Sequence, residues 1–364
     1  MARPLVAEIN LTALRHNYQL ALSQSAASYA LAVVKANAYG HGAVAVAQAL
    51  ADLTPAFAVA CIEEAEELVA AGIKQPITLL EGFFDSSELP VIIARGYEPL
   101  IHSDWQLKQL VHYLNSHLVA TNSLNVWLKV DTGMHRLGFS IEQVSSVYQQ
   151  LKALPAINNI TLTSHFACAD DLSNGATSKQ LAQFQALQKQ LNCLVSIANS
   201  PATLGYPEAQ QGCLRPGIML YGASPLAPGH ALGEQLQTVM TLKTQLISVR
   251  DLPAGESVGY GERFKTQQPT RIGVVACGYG DGYPRHARDG TPMLVNGKKC
   301  HLAGRVSMDM LTVDLTNSPE AQIGDEVILW GEDLSVNEVA SYCDTISYTL
   351  LTCLLPRVRR CYIK

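Results

Sequence analysis

Over its first 230 or so residues the chain alternates short apolar, β-rich runs with amphipathic helical patterns, and few folds accommodate that rhythm. The runs are Leu31 to Lys35, Phe57 to Cys61, Pro76 to Glu81, Glu98 to His102, Val126 to Asp131, Ile160 to Phe166, Leu194 to Asn199 and Leu214 to Leu220. Helical periodicity fills the gaps, as in Ala43 to Ala51, Ile62 to Ala71 and Ser178 to Leu191, and Asn10-Leu11-Thr12 opens a helix before the first run. Strand-helix alternation with connections of this length means parallel strands joined by right-handed crossovers, and eight such units close more readily into a barrel than an open sheet. The fold expected is α/β, an N-terminal (β/α)8 TIM-type barrel.

From about Gly233 the texture changes. Short β-branched runs (Val239 to Val249, Arg271 to Ala276, Pro292 to Val295, Lys299 to Leu302, Met310 to Leu315, Glu326 to Leu329) alternate with glycine turns, and Asn296-Gly297 between two of them is a hairpin signal. Helical patterns at Ser335 to Tyr342 and Tyr348 to Leu355 close the chain. The expected division is therefore 1–232 for the barrel and 233–364 for a mostly β C-terminal domain, with residues 1–9 a candidate addition to the latter. A length of 364 residues suits two domains.

Composition removes several function classes. A net charge of -5 gives no general attraction for nucleic acid or an anionic membrane surface, and the group Arg357, Arg359, Arg360 is too short to reverse this. No run of 18 or so apolar residues is present and the N-terminus lacks an apolar signal core. Nine scattered cysteines without a CxxC pair suit reduced thiols and neither a disulfide framework nor a zinc site. A cytoplasmic protein without a structural metal is expected.

In a closed α/β barrel the chemistry sits at the C-terminal ends of the strands. Those ends carry Lys35, Glu81, His102, Lys129 and Asp131 with Arg136 in the following loop, His165, Asn199-Ser200, and Arg215-Pro216-Gly217-Ile218. A lysine closing an apolar strand is either a snorkelling cation or, if desolvated, a nucleophile and base of the Schiff-base type. Asn199-Ser200-Pro201 and Gly217-Ile218 follow the seventh and eighth runs, where barrels commonly hold phosphates. The acidic series Glu63, Glu64, Glu66, Glu67 reads as a solvated helix face.

AVVKANAYGHG, KVDTGMHRLG, SHFACAD, RPGIMLYG, VGYG, GYGDGYPR and GRVSMDM occur in this order across nearly the whole chain, which thereby resembles the alanine racemases, pyridoxal 5'-phosphate enzymes of the barrel-plus-β-domain type. The resemblance implies roles residue by residue. Lys35 matches the lysine that carries the cofactor as an aldimine and serves as one Cα base, and Tyr260 matches the base for the opposite face. Tyr39, Ser200, Gly217, Ile218 and Tyr348 match the phosphate cup. Arg215 matches the arginine facing the pyridine nitrogen, and His165 packs beside the ring. Arg136 matches the arginine supporting the catalytic hydroxyl and the substrate carboxylate, with Met308 and Asp309 nearby, and Lys129 matches a lysine that many members carbamylate.

The resemblance further implies racemisation of alanine, a homodimer in which Tyr260 and Met308 reach the partner's site, and a supply of D-alanine for peptidoglycan or its breakdown. A broad-specificity racemase of the same fold is the nearest alternative; a non-catalytic pyridoxal phosphate carrier would lack the second domain. Two bases on opposite faces of Cα are what inversion requires in any case.

Overall fold

The computed structural model describes residues 3–24 and 29–364. The chain enters through the strand Val6–Asn10, which lies antiparallel to the long strand Met240–Leu252 and parallel to the C-terminal strand Arg359–Ile363. Asn10 then caps the helix Leu11–Ser23, its Oδ1 accepting the Ala13 N–H at 2.9 Å.

Eight parallel strands follow as a barrel: Tyr29–Ala30 continued by Ala32–Val33, then Phe57–Val59, Ile77–Leu79, Glu98–Ile101, Leu124–Lys129, Ile157–Thr163, Leu194–Ser196 and Cys213–Leu214. Seven form one continuous sheet, and the eighth closes the ring. On one side the Leu31 N–H donates to the Leu214 carbonyl at 3.1 Å; on the other the Arg215 N–H donates to the Ala198 carbonyl at 2.9 Å. The strands read as continuous apolar runs because both faces are covered, one by the barrel interior and one by the helices. Phe57, Ala58, Val59, Leu79, Ile101 and Leu128 are all fully buried.

Most strands end sooner than their apolar runs suggest. Expected ends at Lys35, Cys61, Glu81 and Phe166 become Val33, Val59, Leu79 and Thr163. The residues in between leave the regular strands at the barrel mouth; some backbone bonds to the neighbouring strand persist, such as Val34 N–H to the Ala58 carbonyl at 2.8 Å, while a side chain takes others, as Glu64 takes the Ala60 N–H.

The second domain is an antiparallel sheet in the order Thr270–Val275, Leu311–Asp314, Lys298–Leu302, Pro292–Val295, Glu326–Trp330 and Met240–Leu252, extended by Val6–Asn10 and Arg359–Ile363. Thr270–Val275 also pairs with Met240–Leu252, so the sheet curls back on itself. The helix Ser347–Thr352 carries this domain to the barrel mouth. Among the described residues no helix is long and apolar enough to cross a membrane, and no three His, Cys, Asp or Glu side chains are grouped to hold a metal ion.

Candidate active site

A cavity of about 600 Å³ opens at the C-terminal end of the barrel. Lys35, Tyr39, Lys129, Arg136, His165, Ser200, Arg215, Gly217, Ile218 and Tyr348 all line it, joined by Glu81, Thr163, Ser164, Asn199 and Thr352. The single chain thus brings together every barrel residue that the motifs indicated, and Tyr348 from the second domain. His102 and Asp131 are not in the lining; the Asp131 Oδ1 instead accepts the backbone N–H groups of Gly133, Met134 and His135. Tyr260, Met308 and Asp309 lie on the surface of the second domain, Tyr260 two-thirds exposed at 68% and Met308 at 55%.

Lys35 does not end a strand. It starts a single turn, Lys35–Tyr39, whose residues Ala36, Asn37 and Ala38 have φ near 52° and ψ near 50°, with Tyr39 at φ 51°, the left-handed helical region. Four consecutive L-residues there are unusual because each Cβ crowds the following carbonyl. The turn puts Lys35 and Tyr39 on one wall of the cavity, and its neighbours hold it. Glu64 accepts the Ala36 N–H at 2.7 Å and the Ala60 N–H at 2.8 Å, so this carboxylate belongs to the site and not to a solvated face. Glu66 is likewise engaged, by Arg95 and the Tyr97 hydroxyl. At the other end the Asn37 Oδ1 accepts the Ala43 N–H at 2.8 Å, and Nδ1 of buried His41 lies 2.9 Å from the Tyr39 carbonyl. Behind Tyr39, Tyr221 stacks at 4.8 Å between ring centroids, with His41 beyond it at 4.5 Å.

The electrostatics follow from burial. Desolvation lowers the Lys35 ammonium below the usual lysine range; Glu81 opposes this and Arg136 adds to it. Lys129 is brought down to about 7 by burial, with Arg215 the next cause. His165 is held well below the ordinary imidazole value by burial, then by Arg215, Arg136, Lys129 and Lys35, and is therefore neutral. Burial raises both tyrosines of the cup, Tyr348 to about 12 and Tyr39 further, so both remain hydroxyl donors.

Arg215 is the buried centre of the floor. Its guanidinium donates to the Thr163 Oγ1 at 3.0 Å, the Ser196 Oγ at 2.5 Å, the Ser164 carbonyl at 2.6 Å and, more weakly, the Ile197 carbonyl at 3.4 Å. No carboxylate among the described residues forms an ion pair with it. Burial brings its pKa down only to about 10, which leaves it a cation at neutral pH. Thr163 and Ser196, which fix this orientation, have no motif of their own. Their only sequence signal is a hydroxyl where the barrel interior calls for an apolar side chain.

Beside Arg215, the Ser200 Oγ accepts the N–H of Gly217 at 2.8 Å and of Met219 at 3.3 Å. A Cβ on Gly217 would sit 2.5 Å from the Tyr39 hydroxyl, so only glycine lets that oxygen approach the loop. Two hydroxyls and a glycine-lined loop at one end of a cation-rich cavity form an anion cradle.

Residues 9–225 match the family model for the alanine racemase N-terminal domain, and residues 239–362 match that for its C-terminal domain. The chain belongs to the alanine racemase family. The alanine racemase of Chromohalobacter salexigens is 55% identical over 363 residues, covering 100% of this chain and 98% of that one. The catabolic alanine racemase of Pseudomonas aeruginosa is 52% identical, covering 99% of each. Among solved structures, the biosynthetic alanine racemase of Pseudomonas aeruginosa superposes with a TM-score of 0.95 at 48% identity over the whole of both chains. That of Bartonella henselae, solved with covalently bound pyridoxal phosphate, gives 0.91 at 32% identity over 99% of each. Family members are isomerases, and the barrel followed by an antiparallel β domain is the alanine racemase fold.

Proposed function

We propose that this chain interconverts L- and D-alanine with pyridoxal 5'-phosphate, moving the Cα proton between two bases. The observation that carries the reading is the convergence of desolvated Lys35 with the Tyr39, Ser200 and Gly217 cradle and the buried cation Arg215 in one cavity. The donor set fits the cofactor: Tyr39, Tyr348 and Ser200 supply hydroxyls for its phosphate, and the Gly217–Ile218 loop closes the cup. Lys35 would hold its aldehyde. When bound, the cofactor supplies an electron sink for the charge that develops at Cα.

Lys35, whose charged form burial disfavours, accepts or returns the proton on one face. Tyr260 of a second copy serves the other, since this residue is exposed and absent from its own chain's cavity lining. Arg136, in the cavity lining, is the cation at hand to orient its hydroxyl. Arg215 has only donors to offer, so toward a bound cofactor's ring nitrogen it would donate a hydrogen bond, leave that nitrogen unprotonated and limit the charge drawn away from Cα. Return of a proton to Cα would then outrun transamination. Neutral His165 packs against the ring without competing for the phosphate. Arg136 and the 307–310 loop of the second copy receive the substrate carboxylate, and Tyr260 with Tyr348 leave room for a small side chain. Lys129, close to half neutral at pH 7, is suited to carbamylation, and the anion so formed would brace Arg136.

The enantiomers are equal in energy, so the same residues serve synthesis or breakdown of D-alanine. The test is to load the protein with pyridoxal phosphate, incubate it with L-alanine in deuterium oxide, and follow optical rotation and Cα exchange together. Loss of rotation with deuterium at Cα is expected; a bound cofactor without exchange refutes the reading.

A further inference from the structure

The second-domain loop Ser307 to Met310 is fastened by an ion-pair quartet of Arg3, Asp281, Asp309 and Arg357, of which only the Asp281 carboxylate is fully buried and only Asp309 has a role from the family motifs. Asp281 ends the turn Tyr279–Asp281, and its side chain is only 1% exposed. Its Oδ2 accepts from Arg3 at 2.8 Å and from the Gly278 N–H at 2.9 Å, while its Oδ1 lies 2.7 Å from Nε of Arg357. Both arginines then reach the loop. Arg3 donates to the Asp309 carbonyl at 2.5 Å, and Arg357 pairs with the Asp309 carboxylate at 2.9 Å and touches the Met308 carbonyl at 3.4 Å.

The turn itself completes the grip. The Tyr279 N–H donates to the Ser307 carbonyl at 3.0 Å and the Gly280 N–H to the Met308 carbonyl at 2.7 Å. A Cβ on Gly278 would lie 2.4 Å from those two carbonyl oxygens, so the backbones are packed as closely as glycine permits. Three successive carbonyls, of Ser307, Met308 and Asp309, are thus tied inward. Among the described residues nothing accepts from the N–H of Met308 or of Asp309, and the Met308 side chain is more than half exposed. Two neighbouring N–H groups without a protein acceptor, on a loop whose carbonyls are all anchored, form a donor pair for an anion. The single negative charge on the loop, that of Asp309, would repel such an anion, and Arg357 neutralises it.

We propose that Asp281 is a positioning residue which, through Arg3 and Arg357, fixes the 307–310 loop so that its free N–H groups bind the carboxylate of the amino-acid substrate. The inference rests on the racemase reading above, in which this loop faces a substrate, and assigns that affinity to a quartet drawn from both ends of the chain, Arg3 to Arg357.

Steady-state kinetics of the cofactor-loaded enzyme test it, with propionate, which has a carboxylate but no amino group, as a competitive inhibitor. Asp281→Asn should raise both the KM for L-alanine and the inhibition constant of propionate about tenfold, with kcat altered less than about twofold. Arg3→Ala removes only the partly exposed arm and should raise both about threefold, with Arg3→Lys restoring most of the loss. Unchanged KM and propionate inhibition in Arg3→Ala, or a fall in kcat at constant KM, overturns the proposal, and the same rule decides if Asp281→Asn does not fold. Absence of racemisation by the loaded wild-type enzyme would instead overturn the underlying reading.

Discussion

Replacing Ala36 by glycine should stabilise the protein, although alanine-to-glycine changes ordinarily weaken helices. Ala36 is exposed and sits at φ 52°, ψ 51°, where an L-residue carries about 1–2 kcal/mol of steric strain. Glycine removes that strain at a cost of roughly 0.5–1 kcal/mol in unfolded-chain entropy. The net expectation is a gain of about 0.5–1 kcal/mol. The matched control is Ala182, exposed in the interior of the right-handed helix Ala176–Leu191, where the same substitution should cost about 1 kcal/mol. Wild type and both variants would be compared by thermal unfolding at one fixed pyridoxal phosphate concentration, because ligand binding shifts apparent stability. Opposite signs for the two variants are expected. If Ala36→Gly lowers the midpoint as much as Ala182→Gly, the turn is not strained and the argument for Glu64 and His41 as its supports fails with it.

Lys35→Ala should abolish racemisation and, together with it, borohydride trapping of the cofactor on the protein; retained trapping would assign the attachment elsewhere. Mixing Lys35→Ala with Tyr260→Phe under conditions that exchange subunits should regain activity, since one site of each mixed dimer is then intact, and no gain would argue against sites shared between copies. Native intact mass in bicarbonate should show one added carbon dioxide that is absent from Lys129→Arg, and the same increment in both, or in neither, would exclude carbamylation at Lys129. His41, fully buried, is pushed down to about 4 from an unfolded value near 6.5, so its contribution to stability is complete above about pH 6.5. That contribution falls by about 3 kcal/mol as the pH drops towards 4, and His41→Gln should flatten this acid limb of the melting-temperature profile.

The reach of the sequence is clearest at the cavity. Strand-helix alternation located eight strand ends, and the motifs on those ends supplied Lys35, Arg136, His165, Ser200 and Arg215, because a barrel gathers its strand ends at one mouth whatever the loops do. The apolar periodicity that finds a strand does not say where it stops. The apolar run puts Lys35 at a strand end, whereas the ladder stops at Val33 and the chain turns left-handed through Ala36–Tyr39. In KANAY only Asn37 is of a residue type enriched in the left-handed region; alanine and tyrosine favour other conformations. The turn exists because Glu64, Asn37 and His41 over-determine it.

Glu64 shows the same limit from the other side. In a run of four acidic residues it is chemically indistinguishable from Glu63 and Glu67, and only the packing of its helix against the first strand end aims its carboxylate at two backbone N–H groups. Arg3 and Asp281, 278 residues apart, meet because Val6–Asn10 is built into the second domain's sheet. By itself, then, the sequence determined the family, the two architectures and which barrel residues gather at its mouth, which follow from local periodicity and contiguous motifs. Tertiary structure alone decided which carboxylates are buried and which backbone runs are strained, because desolvation and strain depend on neighbours brought from distant parts of the chain.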